Sequence, residues 1–236
     1  MIKILKKSVA RLLSIFSLKL SHIKKSPNKN KWLKDLNIET IIDVGGSKGN
    51  AALQFHALFP SAEIYSFEPL SDCFRIMNEK MGSVAGFRSF NVALSDNKGK
   101  GIIHRSSYSG SSSLRKMADI HKLAFPITAG ERDEVIKTDT MDNVMKGFNL
   151  EGNILVKIDV QGLEDKVILG GQKTLDRAKM IIVETSFIEL YEGQPLFGKI
   201  YQLLFDMGFR YSGARDPDFR NPLNGASLQQ DSIFIK

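Results

Sequence analysis

The chain has 236 residues, 42% of them hydrophobic and 25% charged, with 7 Pro and 19 Gly; this excludes collagenous and low-complexity architectures and suits one folded core. A single cysteine excludes a disulfide framework and a Cys-based zinc site within the monomer, and points to a reducing, cytoplasmic compartment. The net charge of +7 is confined: residues 1–34 hold ten of the 33 Lys and Arg and no acid, which leaves 23 basic against 26 acidic side chains beyond them. The body is therefore mildly acidic, which excludes a basic groove tracking nucleic acid.

In the basic extension, Leu5, Val9, Leu12, Phe16, Leu20 and Ile23 are spaced three or four apart, which predicts an amphipathic helix. Its longest uncharged stretch, residues 12–18, is far short of the roughly 20 residues that span a bilayer. Lys19 follows where a signal peptide would carry its cleavage site. Two readings stand for this helix. It packs on protein, or it lies through residues 1–25 on an anionic membrane surface, at the inner face. Ser26-Pro27-Asn28 reads as a hinge between an extension, 1–27, and a catalytic domain, 28–236.

Beyond the hinge, apolar runs alternate with segments of helical spacing. Strands are predicted at 40–44, Glu63–Phe67, 86–92, 153–160 and 179–185, and helices at 49–59, 71–80, 163–177 and 195–207. Closing strands at 208–212 and 232–235 are expected as an antiparallel pair at one edge. The alternation specifies an α/β fold, a mostly parallel sheet with helices on both faces. A serine-rich stretch, 106–113, opens a connection to about residue 133 that reads as irregular, either an acceptor-binding lid or a surface insertion.

The stretch IIDVGGSKGN, residues 41–50, leaves a buried strand after Asp43 and enters a helix through glycines. Glycine lets backbone approach a ligand closely, and a helix start favours negative charge. The dinucleotide pattern G-x-G-x-x-G fails, because Ser47 and Asn50 stand at its second and third glycines, and no P-loop pattern occurs. Residues 45–49 do read G-x-S-x-G, but a hydrolase elbow needs a histidine later in the sheet, and His22, His56, His104 and His121 all come too early. Glu68 ends the next strand in SFEPL, where an acid in nucleoside-binding folds accepts from ribose hydroxyls. A glycine loop and this acid, without the dinucleotide fingerprint, point to S-adenosylmethionine rather than NAD. In VKIDVQGLEDKVILGG, residues 156–171, Asp159 ends a buried strand, where ligands bind in open α/β sheets. A carboxylate there is costly without a partner. Glu184 ends the following strand at the equivalent tip.

In this order the stretches resemble the FkbM family of S-adenosylmethionine-dependent methyltransferases, from about residue 41 to 209. IIDVGGSKGN is similar to the family's D-V-G-A-N-x-G loop, SFEPL to its F-E-P motif, and FNVALSDNKG to its segment after strand three. VKIDVQGLEDKVILGG is similar to K-I-D-V-E-G-x-E-x-x-V-L-x-G, and IIVETS to a strand ending in glutamate. Gly46 and Ser47 stand where Ala and Asn are common, and Gln161 replaces the usual Glu. The resemblance implies a Rossmann-like seven-stranded methyltransferase sheet with an antiparallel last strand. It places Asp43, Gly45, Gly46, Ser47 and Gly49 around the cofactor, Glu68 on the ribose, Ala93 and Leu94 beside adenine, and Asp159 at the methyl-transfer face. It also implies O-methylation of a hydroxyl on a sugar, glycan, glycolipid or natural product.

The chemistry narrows the candidates further. A sulfonium methyl is already activated, so the protein must align a nucleophile with it and take an alcohol's proton as the alcohol attacks. Asp159 is the first candidate base, with Glu184 and Glu164 behind it and His104 and His121 as rivals from the long connection. No histidine cluster indicates a metal, although a divalent cation is compatible; Gln161 brings no charge for one. A non-catalytic module of the same fold is the alternative. Gly45, Glu68 and Asp159 together favour the enzyme, acting on a small-molecule, sugar or glycolipid acceptor.

Overall fold

The run Ile38–Val44 forms β1, buried at all but one position, and the sheet grows outward from it. The parallel strands β2 (Glu63–Phe67) and β7 (Asn153–Ile158) flank it. Outside these lie β3 (Phe87–Phe90) beside β2, and β8 (Ala178–Ser186) beside β7, both parallel. The long last strand, β11 (Ser227–Ile235), runs antiparallel to β8, and β9 (Arg210–Ala214) and the two-residue β10 (Phe219–Arg220) pair with it antiparallel. The order β10-β11-β8-β7-β1-β2-β3, with β9 on β11, is the expected mostly parallel α/β sheet with an antiparallel last strand, enlarged by β10. This computed structural model describes residues 31–215, 219–221 and 224–236. The amphipathic helix of the extension and the Pro27 hinge lie outside the described residues.

The side-chain alternation of strands fixes the core. Ile42 and Val44 of β1 join Val156 and Ile158 of β7, and are packed by Val167 and Ile168 of α5 (Glu164–Gly170) and Ile200 and Leu204 of α7 (Phe197–Asp206). Helix α1 (Asn50–Leu58) packs on β1 and β2 and against α2 (Ser71–Met81). The helix expected over 163–177 is two helices, because the chain breaks at Gly171 before α6 (Gln172–Asp176). A Cβ at the preceding Gly170 would lie 2.0 Å from the Ser95 carbonyl oxygen, so this turn is pressed against backbone.

The connection expected to be irregular is more ordered. A second sheet, β4-β6-β5, pairs β4 (Ala93–Leu94) with β6 (Glu131–Asp139), and β6 with the antiparallel β5 (Gly99–Ser106). Between β5 and β6 come a 3-10 turn at Ser109–Ser111, the short helix α3 (Asp119–Ala124) and a second 3-10 turn at Pro126–Thr128. The serines hold this segment together: Ser106 Oγ donates to the Thr128 carbonyl at 2.7 Å and Ser107 Oγ to that of Ile127 at 2.9 Å. Helix α4 (Met141–Met145), capped by the Thr140 hydroxyl, leads back to β7.

Candidate active site

The carboxyl ends of β1, β2 and β7 meet so closely that glycine is required. Gly45 follows β1 at φ 84°, and a Cβ there would lie 1.8 Å from the Asp159 carbonyl oxygen. Asp159 N donates to the Val44 carbonyl at 3.0 Å, and Gly45 N and Gly46 N both donate to Phe67 O, at 3.0 and 2.9 Å. Ser47, itself left-handed at φ 47°, donates its N–H to Glu68 Oε2 at 2.8 Å, and Leu70 N–H binds Glu68 Oε1 at 2.8 Å. The glycine loop and the acid after β2 are thus one structure. Each Glu68 oxygen receives one backbone donor and keeps acceptor capacity for another.

Strand register then lines up a buried charged row. Asp43 is paired in register with Ser66 on one side and Lys157 on the other. Ser66 Oγ donates to Asp43 Oδ2 at 3.1 Å, and the Lys157 ammonium lies 3.9 Å from Asp43 Oδ1 and 3.0 Å from Asp159 Oδ2. The other Asp159 oxygen accepts from Gln161 Nε2 at 2.8 Å. The same nitrogen donates to Glu184 Oε2 at 2.7 Å, and Gln229 Nε2 donates to Glu184 Oε1 at 2.8 Å. Glu164 turns inward to take the Gly162 and Val160 N–H groups at 3.1 and 3.3 Å.

Burial dominates the electrostatics. It pushes Glu68 and Glu164 each up to about 7. Glu184 is raised well above the ordinary carboxylate range by burial, reinforced by Asp159 and Glu164. Asp43 is raised by burial against the pull of Lys157. For Lys157 burial acts downward, but Asp159 and Asp43 outweigh it and hold the ammonium above the usual lysine value.

These strand ends enclose a cavity of about 430 Å³, within the size range of small-molecule sites. Gly45, Gly46, Ser47 and Glu68 line one part, Ala93 and Leu94 another, and Asp159 and Glu184 a third. The structure therefore brings together six of the eight residues expected around the cofactor other than Asp159. Asp43 and Gly49 lie off the wall: Asp43 is fully buried behind it, and Gly49 is the left-handed N-cap of α1. Glu164 also lies off the wall, on the loop backbone. Both histidine rivals are elsewhere. His104 pairs with Asp133 across β5 and β6, and His121 packs edge-on against Phe125 and Tyr191.

A model of the methyltransferase FkbM domain matches residues 43–211. The chain belongs to the FkbM methyltransferase family. It is 33% identical over 171 residues to 2-O-methyltransferase NoeI of Sinorhizobium fredii (strain NBRC 101917 / NGR234), covering 70% of each chain. Methyltransferase sdnD of Sordaria araneosa is 24% identical over 192 residues, 72% of this chain and 73% of that one. Among solved structures, methyltransferase FkbM from Methylobacillus flagellatus KT superposes with a TM-score of 0.50 at 9% identity, over 85% of this chain and 44% of that chain. The protein is an S-adenosylmethionine-dependent methyltransferase.

Beyond the motif residues, the cavity wall of this FkbM methyltransferase includes groups that carry no motif of their own. Gln229 and Gln230 of β11, with Phe219 of β10, close the wall beside Glu184, and Tyr108 and Ser112 face it from the long connection. In sequence they show only as the paired glutamines 229–230 and the serine stretch 106–113, and Phe219 has no signal. Lys157 stood in the matched motif, but its place between two carboxylates depends on the register of β1 and β7.

Proposed function

We propose that the cavity binds S-adenosylmethionine along Gly45, Glu68 and Ala93, and that the chain methylates a hydroxyl oxygen of a polyhydroxylated acceptor, a sugar, glycan or glycolipid. The observation that carries this reading is Asp159. It lies on the cavity wall next to the glycine loop, braced by Lys157 and Gln161, and beside a second wall carboxylate, Glu184. S-adenosylmethionine supplies a methyl group already activated for transfer. The protein's own residues do the rest. Glu68, fixed by two backbone donors, accepts from ribose hydroxyls; the small Ala93 and Leu94 flank the base; and Asp159 accepts the acceptor hydroxyl's proton as it attacks. The amides of Gln229 and Gln230, with the exposed rings of Tyr108 and Phe219, suit an acceptor with many hydroxyls and apolar ring faces. The 2-O-methyltransferase name of the NoeI relative supports hydroxyl chemistry.

Two substitutions test the assignment. Glu68→Ala removes charge-assisted bonds worth roughly 1.5–3 kcal/mol each, so S-adenosylhomocysteine affinity measured by calorimetry falls at least tenfold; unchanged affinity rejects the ribose role. Asp159→Asn keeps cofactor affinity but lowers turnover by roughly 10²-fold, read with labelled S-adenosylmethionine and fractionated glycan and lipid extracts. Near-normal turnover removes Asp159 as the base. We further propose that the basic extension brings the enzyme to the cytoplasmic membrane surface, where lipid-linked acceptors reside.

A further inference from the structure

Gln161 stands in the left-handed region at φ 57°, a conformation that residues other than glycine rarely adopt. Bonds from two segments hold it there. Ser113 Oγ donates to its carbonyl at 2.5 Å, Arg115 Nε donates to the next carbonyl, Gly162, at 2.7 Å, and the Tyr191 hydroxyl lies 2.8 Å from its Oε1. The tyrosine and the two carboxylates beside Nε2 together set which way the amide faces. Tyr191 has one proton, and Gln161 Oε1 is the nearer of its two acceptors, the Ser111 carbonyl lying at 3.1 Å. Burial and the carboxylates of Glu184, Asp159 and Glu164 all favour the neutral phenol, which keeps that proton. With Oε1 occupied, both N–H bonds of Nε2 point at carboxylates, Asp159 Oδ1 and Glu184 Oε2. A flipped amide would set its oxygen against two carboxylate oxygens; the Tyr191 hydroxyl, which donates and accepts, bonds either end of the amide, so the carboxylates select the orientation.

Two carboxylate oxygens within reach of one point repel unless a cation or a donor lies between them. Here the donor is one nitrogen. We propose that Gln161 is a positioning residue: held between Tyr191 and two carboxylates, its amide nitrogen fills the place a divalent cation would take between Asp159 and Glu184, and holds both by hydrogen bonds alone. The role of Asp159 as base rests on the reading above; the clamp itself rests only on this geometry. The remaining oxygens are also committed, Asp159 Oδ2 to Lys157 and Glu184 Oε1 to Gln229, so each carboxylate has a fixed orientation. Among the described residues no three His, Cys, Asp or Glu side chains converge as a metal site. A glutamate at position 161 would complete such a trio.

Manganese titration followed by electron paramagnetic resonance tests this on the full chain. Wild type is expected to leave manganese free at millimolar concentration. Glu at 161, introduced as Gln161→Glu, is expected to bind one manganese ion, and adding Glu184→Gln to abolish the binding. A circular dichroism spectrum of Gln161→Glu that matches wild type shows that the variant is folded. Manganese uptake by wild type that Glu184→Gln removes would overturn the proposal, since the cation's place would then be open. So would a folded Gln161→Glu protein that binds no manganese, since the three groups would not converge. Should Gln161→Glu not fold, the wild-type and Glu184→Gln titrations alone decide. A wild type that binds no S-adenosylhomocysteine would count against the cofactor reading and leave the manganese result standing.

Discussion

Glu164 shows how a buried acid can serve the loop that carries the site without reaching the cavity. It is 3% exposed, its bonds go to backbone N–H groups of the β7–α5 loop, and burial raises it from 4.5 to about 7. Between those values the folded chain holds a proton that the unfolded chain has lost. The contribution to stability is therefore fully present below about pH 4.5 and declines as pH rises towards 7, by up to about 1.4 kcal/mol per unit. Glu164→Gln presents the same accepting oxygen and does not ionise. Its melting temperature is expected to gain on wild type from pH 5 to about 7 and then level off; parallel curves throughout would show that Glu164 does not titrate in this window. The residue's position in the motif made it visible, but its role depends on which way the side chain turns at the loop. Gln161 is a similar case. Its lost charge is plain in the sequence, whereas the bridge it forms needs β7, β8 and the segment around Tyr191 brought to one point.

Elements were legible in proportion to their burial. Strands β1, β2, β7 and β8 are mostly buried, largely apolar runs because both faces are covered, and they stand within a few residues of where the pattern puts them. The β5–β6 hairpin has no such run. In ERDEVIKTD only Ile136 and Thr138 are buried, and β5 is buried only at Ile103 and Ser106, so charged and polar residues hide the strand. The hairpin is held by its register and by a small cluster of Ile103, Ile136, Leu70, Cys73 and Ala93. That difference has a measurable consequence. Amides of β1 and β7, central and covered, exchange with solvent only on global opening, whereas β5 and β6 open locally and exchange well before them. Equal protection of the two sheets in hydrogen–deuterium exchange would show that the hairpin folds as part of the main core. Bound S-adenosylhomocysteine is expected to slow exchange at Ala93 and Leu94, because β4 joins the small sheet to the cavity.

On the scale of the whole molecule, charge is divided along the chain: ten basic and no acidic residues before position 35, and a body with a net of three negative charges after it. No helix among the described residues is long and apolar enough to cross a membrane, and the longest uncharged stretch of the extension, residues 12–18, is far short of the roughly 20 residues that span a bilayer. Each lysine near an anionic leaflet contributes about 1 kcal/mol, and that attraction weakens as salt screens it. Full-length protein is therefore expected to sediment with vesicles containing anionic lipid, less so as salt rises, and not with neutral vesicles. Deleting residues 1–26 abolishes sedimentation and leaves S-adenosylhomocysteine binding intact, since every cavity-lining residue lies at or beyond Val44. The protein-packing reading expects the opposite pair of results: no vesicle binding at any salt, and a truncated chain with a lower melting temperature or an altered oligomeric state. Running both proteins through both assays separates an enzyme that is carried to its acceptor at a membrane from one whose extension completes its own fold.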